Sequence, residues 1–154
     1  MKPLTKDQIL DLIPQQSPFR FIDEILEVNE ESIVSTYTFR DDETFYAGHF
    51  PGNPITPGVI LLETLAQTGV VAFGIYLASL QFTQDEIKRF LTVFTEANVE
   101  FTGFVRPGDR VTIRAKKIYF RRMKLKSEGE LMLADGKVVC SGTIAGMGVN
   151  VNEK

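Results

Sequence analysis

Tryptophan is absent, and histidine and cysteine occur once each, as His49 and Cys140. A single cysteine excludes an intrachain disulfide, and a reducing cytoplasm is the expected compartment. One histidine and one cysteine far apart provide no metal-ligand spacing, so neither a metal nor another cofactor is expected. Positive charge is also short. With 17 Lys+Arg against 20 Asp+Glu the formal charge is −3, which argues against nucleic acid as a partner. Met1 to Asp7 lack the apolar stretch of a signal peptide, so none is expected. Internal repeats and low-complexity segments are missing too.

Long apolar runs are scarce. The longest, Val59 to Leu80, is interrupted by Glu63, Thr64, Gln67 and Thr68. Its cleaner remainder, Gly69 to Leu80, is 12 residues long, whereas a membrane span needs about 20. A buried core helix is expected and no membrane span. The 154 residues are 44% hydrophobic, enough for one globular domain over 1–154 with a real core.

Local patterns outline that domain. Thr5 and Gln8 form a capping box ahead of Ile9, Leu10, Leu12 and Ile13, and Pro14 closes this short helix. Phe19 to Val28 reads as a strand. After the Asn29-Glu30-Glu31 turn, Ser32 to Phe39 alternates, with Ile33, Tyr37 and Phe39 on one face. Periodicity fails from Asp41 to Thr56. Thr56 is the expected N-cap and Pro57 the first turn of a helix reaching about Leu80, apolar on nearly every side. A second capping box, Thr83 to Glu86, opens a helix ending near Phe90. The rest is β-like. Leu91 to Phe101 is one strand, and Val111, Ile113 and Ala115 begin another, with a bulge expected at Lys116-Lys117. Leu125 to Leu133 and Val138 to Ile144 follow, joined by a hairpin turn at Asp135-Gly136. The fold class is therefore α+β: about six antiparallel strands curved around a long helix.

Chemistry concentrates between Gly48 and Gln67. His49 lies in a Pro-Gly-rich loop. Gly58 follows nine residues later at a helix start, and Glu63 five residues after that inside an apolar helix. Imidazole can take a proton near neutral pH. The first N–H groups of a helix lack internal partners, so Gly58 offers a donor to a carbonyl becoming an enolate. Burial should raise the pKa of Glu63 and keep it a proton donor, with Gln67 one turn on to orient it. Base, carbonyl-polarising donor and acid are the parts of a β-elimination of water. A loop histidine taken alone is more often a structural hydrogen-bonder; the combination shifts the balance.

The run His49-Phe50-Pro51-Gly52-Asn53-Pro54-Ile55-Thr56-Pro57-Gly58-Val59, followed by Glu63, Ala66 and Gln67, resembles the motif of the FabZ family of 3-hydroxyacyl-acyl-carrier-protein dehydratases. Pro18 to Asp23 and Val105 to Asp109 resemble two further family segments. The resemblance implies a hotdog fold and dehydration of a 3-hydroxyacyl-carrier thioester in fatty-acid or related lipid or polyketide biosynthesis. It implies His49 as base and Glu63 as acid, supplied by different subunits of a homodimer or trimer of dimers. Gly58, Phe50 and Gln67 are implied to bind substrate. Glu63, where the related FabA isomerases carry aspartate, implies a plain dehydratase. Three departures stand out: Thr102-Gly103-Phe104 where arginines are usual, a longer Ser79 to Phe90 connection, and Thr56 where methionine is common.

An acyl carrier protein is acidic, so a basic patch is expected to meet it. Lys116, Lys117, Arg121, Arg122, Lys124 and Lys126 fall within 11 residues. Arg121, Arg122, Lys124 and Lys126 are the docking candidates; the plainer alternative is a solvated hairpin edge. Two other functions remain open at this point: a hotdog thioesterase, in which His49 has no obvious role, and a non-catalytic acyl-binding subunit of a heteromeric dehydratase.

Overall fold

The computed structural model describes residues 2–151. Its short first helix, α1 (Lys6–Leu12), carries the expected capping box and buries Ile9. Strands β1 (Glu24–Val28) and β2 (Ser32–Thr38) form a hairpin. The central helix α2 runs from Gly58 to Ser79. A second capping box opens α3 (Gln84–Ile87). Four long strands complete the chain: β3 (Phe90–Phe101), β4 (Arg110–Arg121), β5 (Lys124–Leu133) and β6 (Val138–Asn150). All pair antiparallel in one sheet of order β1-β2-β4-β5-β6-β3. The fold is α+β, with α2 lying against β2, β4, β5 and β6 in the hotdog arrangement.

By length and apolarity α2 would suffice to cross a membrane, but most of it is buried inside the protein. Its first half meets Phe21, Tyr37, Phe39, Ile113, Leu131 and Ile144. Its second half meets Ile9, Ile13, Ile25, Ile33 and Leu125. Glycine permits the close fit. A Cβ on Gly69 would lie 3.0 Å from Ile144 Cδ1 and 3.1 Å from the Ala115 Cβ, and one on Gly129 would lie 2.9 Å from Leu65 Cδ1.

The sequence pattern does not disclose that α2 changes pitch. It is α-helical over Gly58–Ala66 and Phe73–Ser79 but π-helical over Gln67–Ala72. Such turns are uncommon and cluster at functional sites. Here the sheet engages the widened turn with hydroxyls. Ser127 Oγ donates to the Gly69 carbonyl at 2.7 Å, and the Ser35 and Thr68 hydroxyls bond at 2.5 Å.

Two boundaries differ from expectation. The N-cap is Pro57 and the helix starts at Gly58, with no side-chain cap. Thr56 is not the cap, because its hydroxyl is bonded to Tyr46 Oη at 2.6 Å. The first strand begins at Glu24 rather than Phe19. Phe19 ends a turn, its N–H on the Gln16 carbonyl, and Phe19 and Phe21 bond to the side chain of Gln67 in place of a neighbouring strand. The expected β4 bulge appears as a register shift between Lys117 and Tyr119. The Asp135-Gly136 turn has Gly136 at φ 89°, with its N–H on the Leu133 carbonyl.

Candidate active site

The loop carrying His49 is a succession of tight turns. Tyr46 N–H bonds the Glu43 carbonyl, His49 N–H the Phe45 carbonyl, and Ile55 N–H returns to the His49 carbonyl. Buried side chains anchor it. Glu43 accepts from Tyr37 Oη at 2.6 Å and lies 3.6 Å from the Arg40 guanidinium. Burial among these groups, with the Glu43 carboxylate beside it, raises the pKa of Tyr37, which keeps its proton. Thr56 ties the loop's far end to Tyr46 and to the Val105 carbonyl. Neither Glu43 nor Tyr46 was singled out by the sequence, since only the fold places their partners.

His49 is half-buried, and its Nδ1 lies 2.8 Å from the Ile55 carbonyl. A carbonyl oxygen can only accept, so Nδ1 carries the hydrogen. Nε2 then holds a lone pair and can take a proton. The Phe50 ring stacks on the imidazole with centroids 4.1 Å apart and is itself half-exposed.

Gly58 opens α2. The Pro57 carbonyl takes the N–H groups of Ile60 and Leu61. Those of Gly58 and Val59 have no acceptor among the described residues. They sit at the positive end of the helix dipole, where a developing oxyanion is favoured. The Phe101 ring covers the glycine so closely that a Cβ there would be 3.4 Å from Cε1.

Glu63 and Gln67 are brought together as expected for one helical turn. The Gln67 amide is fully buried and cannot flip, because both ends are committed. Its Oε1 accepts Phe21 N–H at 2.7 Å; its Nε2 donates to the Phe19 carbonyl at 2.9 Å and to Glu63 Oε2 at 2.8 Å. Burial raises the Glu63 pKa, and the Gln67 hydrogen bond partly opposes that rise. With Oε2 accepting from an amide, a proton on the carboxyl belongs on Oε1, free to be donated. No hydrogen bond joins Glu63 to His49 within the protomer among the described residues.

The four docking candidates stand elsewhere. Arg121, Arg122, Lys124 and Lys126 belong to the β4–β5 hairpin, whose turn residues Arg122 and Met123 have positive φ. Arg121 lies over the Tyr119 ring at 4.8 Å, and Lys126 bonds Glu96 at 2.9 Å across β6. This hairpin borders the Phe90 end of β3, while Gly58 packs at the Phe101 end. Among the described residues no cluster of His, Cys, Asp and Glu could hold a metal.

A FabA-like domain matches residues 13–145. The chain is 37% identical over 153 residues to the 3-hydroxyacyl-[acyl-carrier-protein] dehydratase FabZ of Acetivibrio thermocellus, covering 98% of this chain and 99% of that one. The chain belongs to the FabZ family of dehydratases. A FabZ of Caldicellulosiruptor bescii is 34% identical over 140 residues, covering 90% of this chain and 94% of that relative. Among solved structures, the dehydratase heterocomplex ApeI:P of Xenorhabdus doucetiae superposes with TM-score 0.73 at 17% identity, over 99% of this chain and 95% of that one. A thioesterase of Haemophilus influenzae gives 0.66 at 20% identity with the same coverages. These two likenesses establish the shared fold and say nothing of thioester hydrolysis by this FabZ-like chain.

Proposed function

We infer that this FabZ-like chain removes water from a 3-hydroxyacyl-carrier thioester, with His49 of one protomer as base and Glu63 of a second as acid. The observation that carries this is the 2.8 Å contact between His49 Nδ1 and the Ile55 carbonyl: an oxygen that can only accept assigns the hydrogen to Nδ1 and leaves Nε2 as the acceptor. His49 Nε2 takes a proton from C2, and the electrons move toward the thioester carbonyl. The Gly58 N–H bonds the resulting enolate oxygen. The C3–O bond then breaks as Glu63 Oε1 gives its proton to the departing hydroxyl. The products are a 2-enoyl thioester and water, and solvent exchange returns a proton to Glu63 and removes one from His49. A positioned base supplies about 10²–10⁴-fold in rate and a backbone oxyanion donor about 10²–10³-fold.

The second protomer is supported by β3. It is an edge strand of 12 residues with Leu91, Val93, Phe94 and Phe101 exposed. Such an edge calls for a partner strand, and a second copy can supply it about a two-fold axis. Antiparallel β3–β3 pairing would set the Phe90 end of one copy beside the Phe101 end of the other. The basic hairpin of one copy would then neighbour Gly58 of its partner, whereas within one chain it aligns with β3 from about Thr92 to Glu96, roughly 17–30 Å along the strand from Phe101. A carrier docked through Arg121, Arg122, Lys124 and Lys126 would deliver its acyl group across that junction. A dimer, alone or in threes, satisfies this geometry, and Phe50 and Gln67 line and brace the site. The cytoplasm is the proposed compartment, where the buried free thiol of Cys140 is stable.

The test is turnover of 3-hydroxyacyl-carrier thioesters followed by enoyl absorbance. His49→Ala and Glu63→Gln should each lower kcat at least about 100-fold while the melting transition is retained. Release of free thiol without enoyl product would refute the assignment.

A further inference from the structure

The segment Thr102-Gly103-Phe104, which departs from the family pattern, is built with care. Thr102 is tied to β6 twice, its N–H on the Val139 carbonyl at 2.9 Å and its hydroxyl on the Val138 carbonyl at 2.8 Å. Gly103 has no room for a side chain: a Cβ would fall 2.8 Å from Val139 Cγ1 and 3.4 Å from Lys137 Nζ. The glycine thus lets the Lys137 side chain lie across the segment. Phe104 is 62% exposed, with the Arg106 guanidinium 5.8 Å from its ring centroid. Phe101, three residues back, covers Gly58.

Lys137 and Arg106 enter no ion pair among the described residues. The nearest acids act on backbone: Asp135 accepts Lys137 N–H at 2.9 Å, and Asp109 accepts Arg106 N–H at 2.8 Å. Arg106 therefore stands over an exposed aromatic ring and Lys137 beside the neighbouring Gly103, both without a carboxylate partner among the described residues and both close in sequence or space to Phe101, which covers the start of α2. A substrate arm leaving a carbonyl held at Gly58 would have to pass Phe101 to reach this rim.

We propose that Lys137 and Arg106, with the exposed Phe104 ring beside Arg106, bind the phosphorylated pantetheine arm of the substrate: the cations take the phosphate and the ring packs on the arm's apolar part. This rests on the dehydratase assignment and adds a substrate-arm site distinct from the carrier-docking hairpin. The hairpin suits the arm less well, because Lys126 is already paired with Glu96 and the hairpin borders the Phe90 end of β3, away from Gly58 in the same chain.

The experiment compares 3-hydroxyacyl thioesters of pantetheine, pantetheine 4′-phosphate and the intact carrier by kcat/KM. The wild type should prefer the phosphorylated arm over the bare arm by between about threefold and twentyfold, the range for one or two exposed charge pairs. Lys137→Ala with Arg106→Ala should abolish that preference, and Lys137→Arg should keep it. Phe104→Ala should lower turnover of both arms alike and leave their ratio standing. Melting curves of every variant check the fold. Three results overturn the proposal: no phosphate preference in the wild type, a preference that survives in the double variant, or a double-variant loss confined to the intact carrier. If the wild type dehydrates none of the three substrates, the dehydratase assignment itself fails and this proposal with it.

Discussion

Replacing Gln67 with leucine separates two jobs that one amide performs. The side chain satisfies Phe21 N–H and the Phe19 carbonyl, which have no strand to pair with, and it donates to Glu63. Leucine is of similar size and removes all three bonds. Each buried backbone group left unpaired costs about 1–3 kcal/mol. Burying the leucine returns about 1.5–3 kcal/mol, but the rearranged packing recovers only part of it. A net loss of about 2–4 kcal/mol follows, or a melting temperature lower by roughly 4–16 °C for a chain of this size. The same change removes the hydrogen bond that holds the Glu63 pKa down against its burial, so the carboxyl should titrate at higher pH than in the wild type. Denaturant unfolding measures the first effect, and carboxyl-resolved NMR titration of Glu63 the second. Unchanged stability would refute the account of residues 19–21, and a lower Glu63 pKa would refute the account of the acid.

Other outcomes follow from the same structure. The folded pKa of Glu63 lies above its ordinary 4.5, so between those values the folded state binds more protons than the unfolded one and stability falls as pH rises. Glu63→Gln should therefore be more stable than the wild type above the folded pKa and lose that advantage below pH 4.5; melting curves across that window would contradict this if the variant were weaker at alkaline pH. Gly69→Ala should cost about 1–3 kcal/mol, because its methyl would press on Ile144 and Ala115, and an unshifted denaturation midpoint would show the helix to be less closely seated. Cys140, fully buried with its thiol pKa pushed up to about 11 by burial, should resist thiol reagents at pH near 8 until the chain unfolds; fast labelling of the native protein would count against its place in the core.

Much of the candidate site's placement was legible because its parts are local. His49, Gly58, Glu63 and Gln67 lie within one loop and the helix that follows, where spacing alone fixes faces and termini. The capping boxes at Thr5 and Thr83 and the turn at Asp135-Gly136 were equally local and appear as expected. What stayed hidden depends on distant partners. The backbone groups bound by Gln67 lie 46 and 48 residues away, so nothing nearby signals that residues 19–21 leave the sheet. Thr56 has the chemistry of an N-cap, but Tyr46 competes for its hydroxyl and wins. Lys126 reads as one of a run of free cations until β6 folds between it and Glu96. The π turn in α2 has no pattern of its own, since buried residues surround the helix at either pitch.

The central claim is that His49 of one chain works opposite Glu63 of another. Mixing His49→Ala chains with Glu63→Gln chains tests it most directly, with subunit exchange confirmed by mass spectrometry. Half of the exchanged dimers would hold one chain of each kind, and each of these would contain one intact site. About a quarter of wild-type activity should therefore return from two nearly inactive variants. No recovery after complete exchange would place both residues in the same chain's site, or remove one of them from the chemistry.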